Sequence, residues 1–487
     1  RLLTTEDYLL VTSKIAGSLH IYDKYNLTLL KEIYLGGSPS GITYIAEKGM
    51  IYVPDLLQGT INVISVTQLS VIDKIDMGST ATLTESIIFD ENFEYGYVPQ
   101  TYQNTDNQNL QFDTTVFPSL SIINLKTNEN LRKRRLGLDI VDQPVGIPLT
   151  GLIFNGYLFI ANYASNDLSI LSLNTMTLAA HIELGFTPFG LAADKKNELI
   201  LVNNTLDETI SIIDGNSLAL VEHIKITEID ERSQLVQGQR LFNNSDDPGL
   251  AKDQWISCAT CHFEGGNDGA SWFFPDGKRN TPSLFNSIQT APFHWNGDLD
   301  EIQDVEFTIQ DLMAGHGLSG GQPNCTPNCT QDKSNADRSS DLDALAMYVN
   351  SLRFPIAFNQ LNALADFSGY TNGKAIFESM ETGCITCHTP PNYTDNQNHL
   401  IDLSNPGGLK KILNTPSLLG LRNSAPYLHD GSARALSEVI QLSAQGLNHG
   451  KTSHLTTKQA NDLLIFLENI QIPSQASITP KPFAVDS

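Results

Sequence analysis

The chain has 487 residues, more than one hydrophobic core usually supports, so two or three domains are expected. Its net charge of −24 disfavours nucleic acid and anionic membrane surfaces, both themselves negative, and suits a protein outside the cytoplasm or one that docks a basic partner. No apolar run approaches the length of a membrane span, and the opening "RLLTTEDYLLVTS" is neither a signal peptide nor an initiation site, so the sequence reads as a mature or trimmed chain.

Up to about residue 228 a unit of roughly forty residues recurs. The stretches "MIYVPDLLQGTINVISVTQLSVIDKIDMG", "YLFIANYASNDLSILSLNTMTLAAHIELG" and "ELILVNNTLDETISIIDGNSLALVEHIKI" each read as an apolar strand, a polar turn, an alternating strand, a short turn and a third strand. A further strand precedes each, as in "SGITYIAEKG". Four strands per unit at this period is the pattern of a β-propeller blade. About five units are recognisable, beginning near Tyr8, Gly41, Thr84, Gly146 and Gly190. The first is expected to lack its opening strand, for which the tail "QASITPKPFAVDS" is one replacement. The third is interrupted by "QTYQNTDNQNLQFDTTVFP", expected to be a surface loop. These blades resemble the propeller family named for its Tyr-Val-Thr-Asn repeats, here "FIANYASNDLSIL" and "ILVNNTLDETISII". No cluster of His, Cys or carboxylates in this half marks a catalytic site, so it is expected to be a docking or structural module.

Near Glu228 the composition shifts to helical periodicity. "SCATCH" (residues 257–262) and "GCITCH" (383–388) repeat one pattern, Cys-x-x-Cys-His. Cys-x-x-Cys alone is half a zinc site or a redox dithiol. The following His decides for covalent haem: Cys258 and Cys261, then Cys384 and Cys387, add to the porphyrin vinyl groups, and His262 and His388 turn onto the iron as proximal ligands. The surroundings repeat too. "GQRLF" pairs with "GKAIF", and "NTPSLFNSIQTAPFHWNGDLDEIQDV" pairs without a gap with "NTPSLLGLRNSAPYLHDGSARALSEV". "AGHG" (His316) pairs with "LNHG" (His449), and two amphipathic helices end at Pro355 and Pro473. The fold class is therefore multidomain: an all-β propeller over 1–228, mainly α cytochrome c domains over 229–356 and 366–474, and a tail over 475–487. Cys325 and Cys329, in a polar loop, form a local disulfide in an oxidising compartment; a metal site is the alternative, with no further ligand evident nearby.

This half resembles the bacterial di-haem cytochrome c peroxidase family, which includes the methylamine dehydrogenase maturation enzyme. The resemblance rests on the two haem motifs, "RNTPSL" and "APYLHDGSARALSEV". It implies two covalently bound haem c groups. Electrons would arrive at haem 2 from a small electron-transfer protein, and haem 1 would reduce peroxide or oxidise a protein side chain. Family members often hold a calcium ion, whose ligands are not assigned here, and a protein partner could dock on the propeller. Haem attachment of this kind places the chain in the periplasm or at the cell surface.

The sixth ligand decides between electron transfer and chemistry. No Met follows Met380, so haem 2 departs from the family's Met ligand. Its candidates are His449, His429, His454, His399 and Tyr427, with His449 favoured by its place beyond the "HDG" turn. Haem 1 lacks the loop His of many family peroxidases. Its iron is either open or taken by His294 or His316. Trp295 corresponds to the family's electron-relaying tryptophan. The family's acid–base glutamate has no clear counterpart; Glu306 is the nearest, and His316 or His294 could move the proton instead. The competing reading is a pure electron-transfer cytochrome, both irons His/His ligated through His316 and His449, anchored by the propeller.

Overall fold

The alternating stretches of the first half fold as antiparallel sheets in chain order. A computed structural model describes residues 1–107, 111–227, 233–274, 277–321, 334–354, 367–401 and 411–470. Five meander sheets occupy the propeller region. The fourth, for example, runs Pro148–Phe154, Tyr157–Asn162, Asp167–Ser172, Thr177–Glu183, each strand paired to the next. Alternation puts one set of side chains into each neighbouring sheet. Leu10, Leu19 and Ile21 of the first meet Ile51, Val53 and Ile64 of the second. Phe159, Leu168 and Ile170 of the fourth meet Ile200, Val202 and Ile213 of the fifth. Along one edge the sheets are stitched by hydroxyls onto carbonyls: Thr12 onto Ser40 (2.6 Å), Ser40 onto Thr84 (3.1 Å), Ser86 onto Leu149 (2.8 Å) and Thr150 onto Phe189. Such a succession of meanders, four of them four-stranded and the third six-stranded, is propeller architecture.

Two expectations are corrected. The first sheet does have its opening strand, Leu2–Thr4, which pairs with Leu9–Val11. The polar insertion of the third unit is not all surface loop. The hairpin of Tyr95–Gln103 and Val116–Asn124 extends into it, and Gln103, Thr115 and Val116 are buried. Burial is tolerated because Gln103 finds a carboxylate partner in Asp268, while Val116 packs on Trp255 and Trp272. Cys325, Cys329 and the tail lie outside the described residues.

The chain divides into two compact units, and the cut does not follow the sequence repeat. The first, Arg1–Gly277 with Val305–Pro323 and Asn335–Tyr348, joins the propeller to the first haem motif. The joint is extensive. Lys14 pairs with Glu264 (3.1 Å) and lies over Phe263, and Tyr163 meets Phe263 edge-on at 5.5 Å. Arg240 pairs with Asp207 at 2.8 Å and stacks on Phe186. The second unit comprises Lys278–Asp304, Asn324–Ser334 and Val349–Ser487.

Each unit holds one copy of the same helix crossing. Helix Gln234–Asn243 crosses Ser340–Ser351, and helix Phe367–Phe377 crosses Thr457–Glu468. A Cβ on Gly238 would overlap the Ala344 carbonyl, and one on Gly373 the Asp462 carbonyl. An aromatic pair closes each: Phe242 with Tyr348 (5.1 Å) and Phe377 with Phe466 (5.2 Å). The "G-x-x-x-F" spacing thus encodes a close backbone approach followed by an aromatic lock. Gly238→Ala and Gly373→Ala should each cost about 3 kcal/mol, because backbone cannot yield as a side-chain tip does. Urea denaturation of the haem-loaded variants checks this; unchanged midpoints would contradict it.

Candidate functional site

The first motif is a single helical turn, Cys258–Cys261, capped by Ser257. Both thiols are free of disulfides, and burial pushes Cys258 up to about 11. His262 Nδ1 donates to the Gly266 carbonyl at 3.2 Å. In the second motif His388 Nδ1 donates to the Tyr393 carbonyl at 3.1 Å, and Cys384 and Cys387 are likewise unpaired. Fixing the proton on Nδ1 leaves Nε2 as the bare donor for a metal. Burial, with His449 adding to it, pushes His388 down to about 4, so the imidazole is neutral, the form that binds iron. Two vicinal thiols beside a neutral, oriented imidazole fit a covalently attached haem at each motif.

His449 faces His388. Their ring centres lie 6.1 Å apart with the planes at 85°, and burial also lowers the His449 pKa. The segment is pinned on both sides: Ser443 Oγ donates to the His449 carbonyl, Lys451 N to Thr382 O (2.9 Å) and Thr452 Oγ1 to Ile440 O (2.8 Å). The remaining candidates for this position are engaged elsewhere. His399 Nε2 meets Asp395 at 2.7 Å, His454 lies 3.8 Å from Glu381, and Tyr427 points at Arg422 O.

His316, the repeat partner of His449, is placed differently. It is exposed, and its described contact is a backbone one, His316 N to Pro248 O at 3.0 Å. The neighbouring Gly315 lies tight against the Gly249 and Leu250 backbone, which turns the next side chain outward. Glu306 anchors this same loop. Its carboxylate, 0% exposed, accepts from Leu318 N (2.9 Å), Ser319 N (3.0 Å), Ser319 Oγ (2.7 Å) and Gln310 Nε2 (2.7 Å). Burial raises its pKa, but the four donors outweigh it and hold the group below the ordinary glutamate value. His294 is exposed and pairs with Asp298 at 2.9 Å.

Trp295 belongs to a pseudo-symmetric pair that the gapless repeat already implied. Its counterpart is His429, and the two rings meet edge-on at 6.4 Å. Asn280 N donates to His429 O (2.6 Å), while its repeat partner Asn414 N donates to Trp295 O (2.7 Å). The indole N–H donates to Asn280 O at 2.7 Å. The two asparagines of the "NTPSL" segments were not singled out from the sequence, though their duplication was the available signal.

Residues 232–319 match the profile of the family described as di-haem cytochrome c peroxidase. The second half of the chain is similar to the di-haem cytochrome c peroxidase superfamily. It carries two covalently bound haem c groups. Hydrazine synthase subunit gamma of Kuenenia stuttgartiensis is 26% identical over 302 residues, 50% of this chain and 80% of that protein. Methylamine utilization protein MauG of Methylorubrum extorquens is 26% identical over 276 residues, 48% and 78%. Cytochrome-c peroxidase IdrP2 of Denitromonas iodatirespirans is 25% identical over 349 residues, 56% and 93%. Each similarity spans about half of the chain. Among the described residues, the one cluster of metal-binding type in the di-haem region is Cys387, Asp395 and His399; its thiol and imidazole do not match the oxygen ligands calcium takes.

Proposed function

We propose that this protein is a peroxidase-like di-haem oxidoreductase in which electrons enter at the second haem site and peroxide is reduced, or a protein side chain oxidised, at the first. The observation that carries the reading is the asymmetry between the two repeats. Two imidazoles bound to opposite faces of one iron, with metal–nitrogen bonds of about 2 Å, have ring centres roughly 6 Å apart. The His388 and His449 rings meet that spacing. In this reading His388 and His449 would together hold the second haem, which would suit it to electron transfer. His316 is exposed instead, so its repeat position supplies no matching ligand to the first site. A haem held at this site by Cys258, Cys261 and His262 alone would supply peroxide-reducing chemistry.

The surrounding residues take complementary roles. His262 and His388 are held by their Nδ1 hydrogen bonds to backbone carbonyls, which fixes each ring's orientation. Trp295 and His429 pass electrons between the two halves of the duplication. Glu306, already ionised and committed to four donors, fixes the loop bearing His316. Peroxide cleavage needs a group that moves a proton between the oxygens, and His316, not held by iron, is the residue available for it. The net charge suits a small donor protein with a basic docking face, and covalent haem attachment places the protein outside the cytoplasm. Among the described residues no helix is long and apolar enough to cross a membrane. The propeller orients the first haem segment through Lys14, Tyr163 and Arg240.

Stopped-flow mixing of the reduced holoprotein with hydrogen peroxide tests the proposal. Reoxidation with two electrons consumed per peroxide is expected. Absence of any reaction with peroxide would support the electron-transfer cytochrome instead.

A further inference from the structure

We propose that Trp272, paired with Asp268, is a second one-electron redox site beside the first haem motif. This rests on the peroxidase reading for its natural oxidant, but not for its chemistry. Trp272 is 3% exposed, and its indole N–H donates to Asp268 Oδ2 at 2.7 Å. Asp268 is 1% exposed and also takes Gln103 Nε2 at 3.2 Å and Ala270 N at 3.0 Å. Three N–H donors converging on one carboxylate favour its ionised form. The Cys261 sulfur lies beside the same carboxylate. Trp272 shares an apolar cluster with Cys261, Trp255, Ile256 and Val116. The indole therefore stands in the wall next to the sulfur through which haem is attached.

Removing one electron from an indole leaves a cation whose N–H is strongly acidic. A buried carboxylate at 2.7 Å stabilises that charge, or accepts the proton, without help from water. Away from solvent such a pair interacts far more strongly than in bulk water. Trp295 has no such partner, since its N–H donates to a neutral carbonyl. The two tryptophans are thus differentiated: Trp272 holds an oxidising equivalent, whereas Trp295 passes electrons through. Peroxide takes two electrons from the protein and two protons from solvent to give two waters. One electron comes from Trp272, whose N–H proton stays in or crosses the hydrogen bond to Asp268, and the other arrives from the second haem side. An electron from the donor protein then restores the indole. The propeller participates directly, because Gln103 and Val116 come from its long hairpin and hold the pair in place.

The test uses the haem-loaded full chain with ring-deuterated tryptophan, read by EPR after rapid freezing. One arm adds one equivalent of hydrogen peroxide. The other generates a strong one-electron oxidant photochemically from a ruthenium tris-bipyridine complex, which needs no peroxide chemistry. A narrow organic-radical signal whose hyperfine pattern changes on deuteration is expected in the photochemical arm, and in the peroxide arm when peroxide reacts. In the photochemical arm, Trp272→Phe should reduce it at least ten-fold and Trp295→Phe should not. Asp268→Asn should shorten its lifetime ten-fold or more, and Asp268→Glu should restore it. Circular dichroism and haem content check that each variant is folded. An unchanged radical in Trp272→Phe, or a lifetime indifferent to Asp268→Asn, overturns the proposal. Failure in the peroxide arm alone overturns the peroxidase reading and leaves the photochemical result to decide this one.

Discussion

Replacing His449 by Gly should convert one of the two haems from low-spin to high-spin, and replacing His316 by Gly should convert neither. The centres of the His388 and His449 rings are 6.1 Å apart, the spacing expected for two imidazoles on one iron. In the proposed ligation, removing the His449 ring leaves the second iron one ligand short, while the segment itself stays pinned through Ser443, Lys451 and Thr452 by bonds to or from backbone. The effect is therefore a change of ligand and not of fold, and added imidazole should reverse it. Perpendicular imidazole planes also leave the iron orbitals nearly degenerate, so the wild-type low-spin EPR signal should be strongly anisotropic. The check is the spin state of the oxidised holoprotein by EPR and by the charge-transfer band. A His449→Gly protein with unchanged spectra would remove His449 from the iron. A new high-spin haem in His316→Gly would restore the symmetric, electron-transfer reading.

Replacing Glu306 by Ala should destabilise the first unit by about 3 kcal/mol or more, since four donors aimed at a buried carboxylate lose their acceptor and each unsatisfied one costs about 1–3 kcal/mol. Glu306→Gln should be nearly as damaging, because it points N–H at N–H. The pH dependence follows from the direction of the shift. The folded pKa lies below the unfolded value of about 4.3. Its stabilisation is therefore complete above the unfolded value and is lost as pH falls through the folded one. Thermal melts at pH 7 and near pH 3 should show the gap between wild type and Glu306→Ala narrowing in acid. A gap that is constant with pH would mean the carboxylate charge does not matter. The loop also carries His316, so peroxide reactivity should fall together with stability in Glu306→Ala.

Much of this architecture was legible in the sequence because it is repetitive. Alternating strands at a fixed period announced the propeller, and two copies of one motif set, one stretch of them gapless, announced a duplicated haem region with matching helix crossings. The Gly238 and Gly373 contacts are spacing made physical. What failed to show is long-range. Asp268 and Trp272 are ten residues or fewer from the first motif, yet their meaning depends on Gln103, which lies in another repeat and had been read as loop. Glu306 sits on a helix face that periodicity reads as solvated; it is buried because the glycine-rich loop 315–321 folds back so that Leu318 and Ser319 donate to it. The His316 and His449 segments look alike as strings, but Gly315 is trapped against backbone and its neighbour is turned outward, whereas His449 is turned inward. Similar motifs thus received different surroundings, and in the proposed account the surroundings decide ligation.

The most direct test of the account is the EPR spectrum of the oxidised wild-type holoprotein before and after one equivalent of hydrogen peroxide. One low-spin and one high-spin haem, with the high-spin signal lost on adding peroxide, is the predicted result. Two low-spin haems that peroxide leaves unchanged would contradict it.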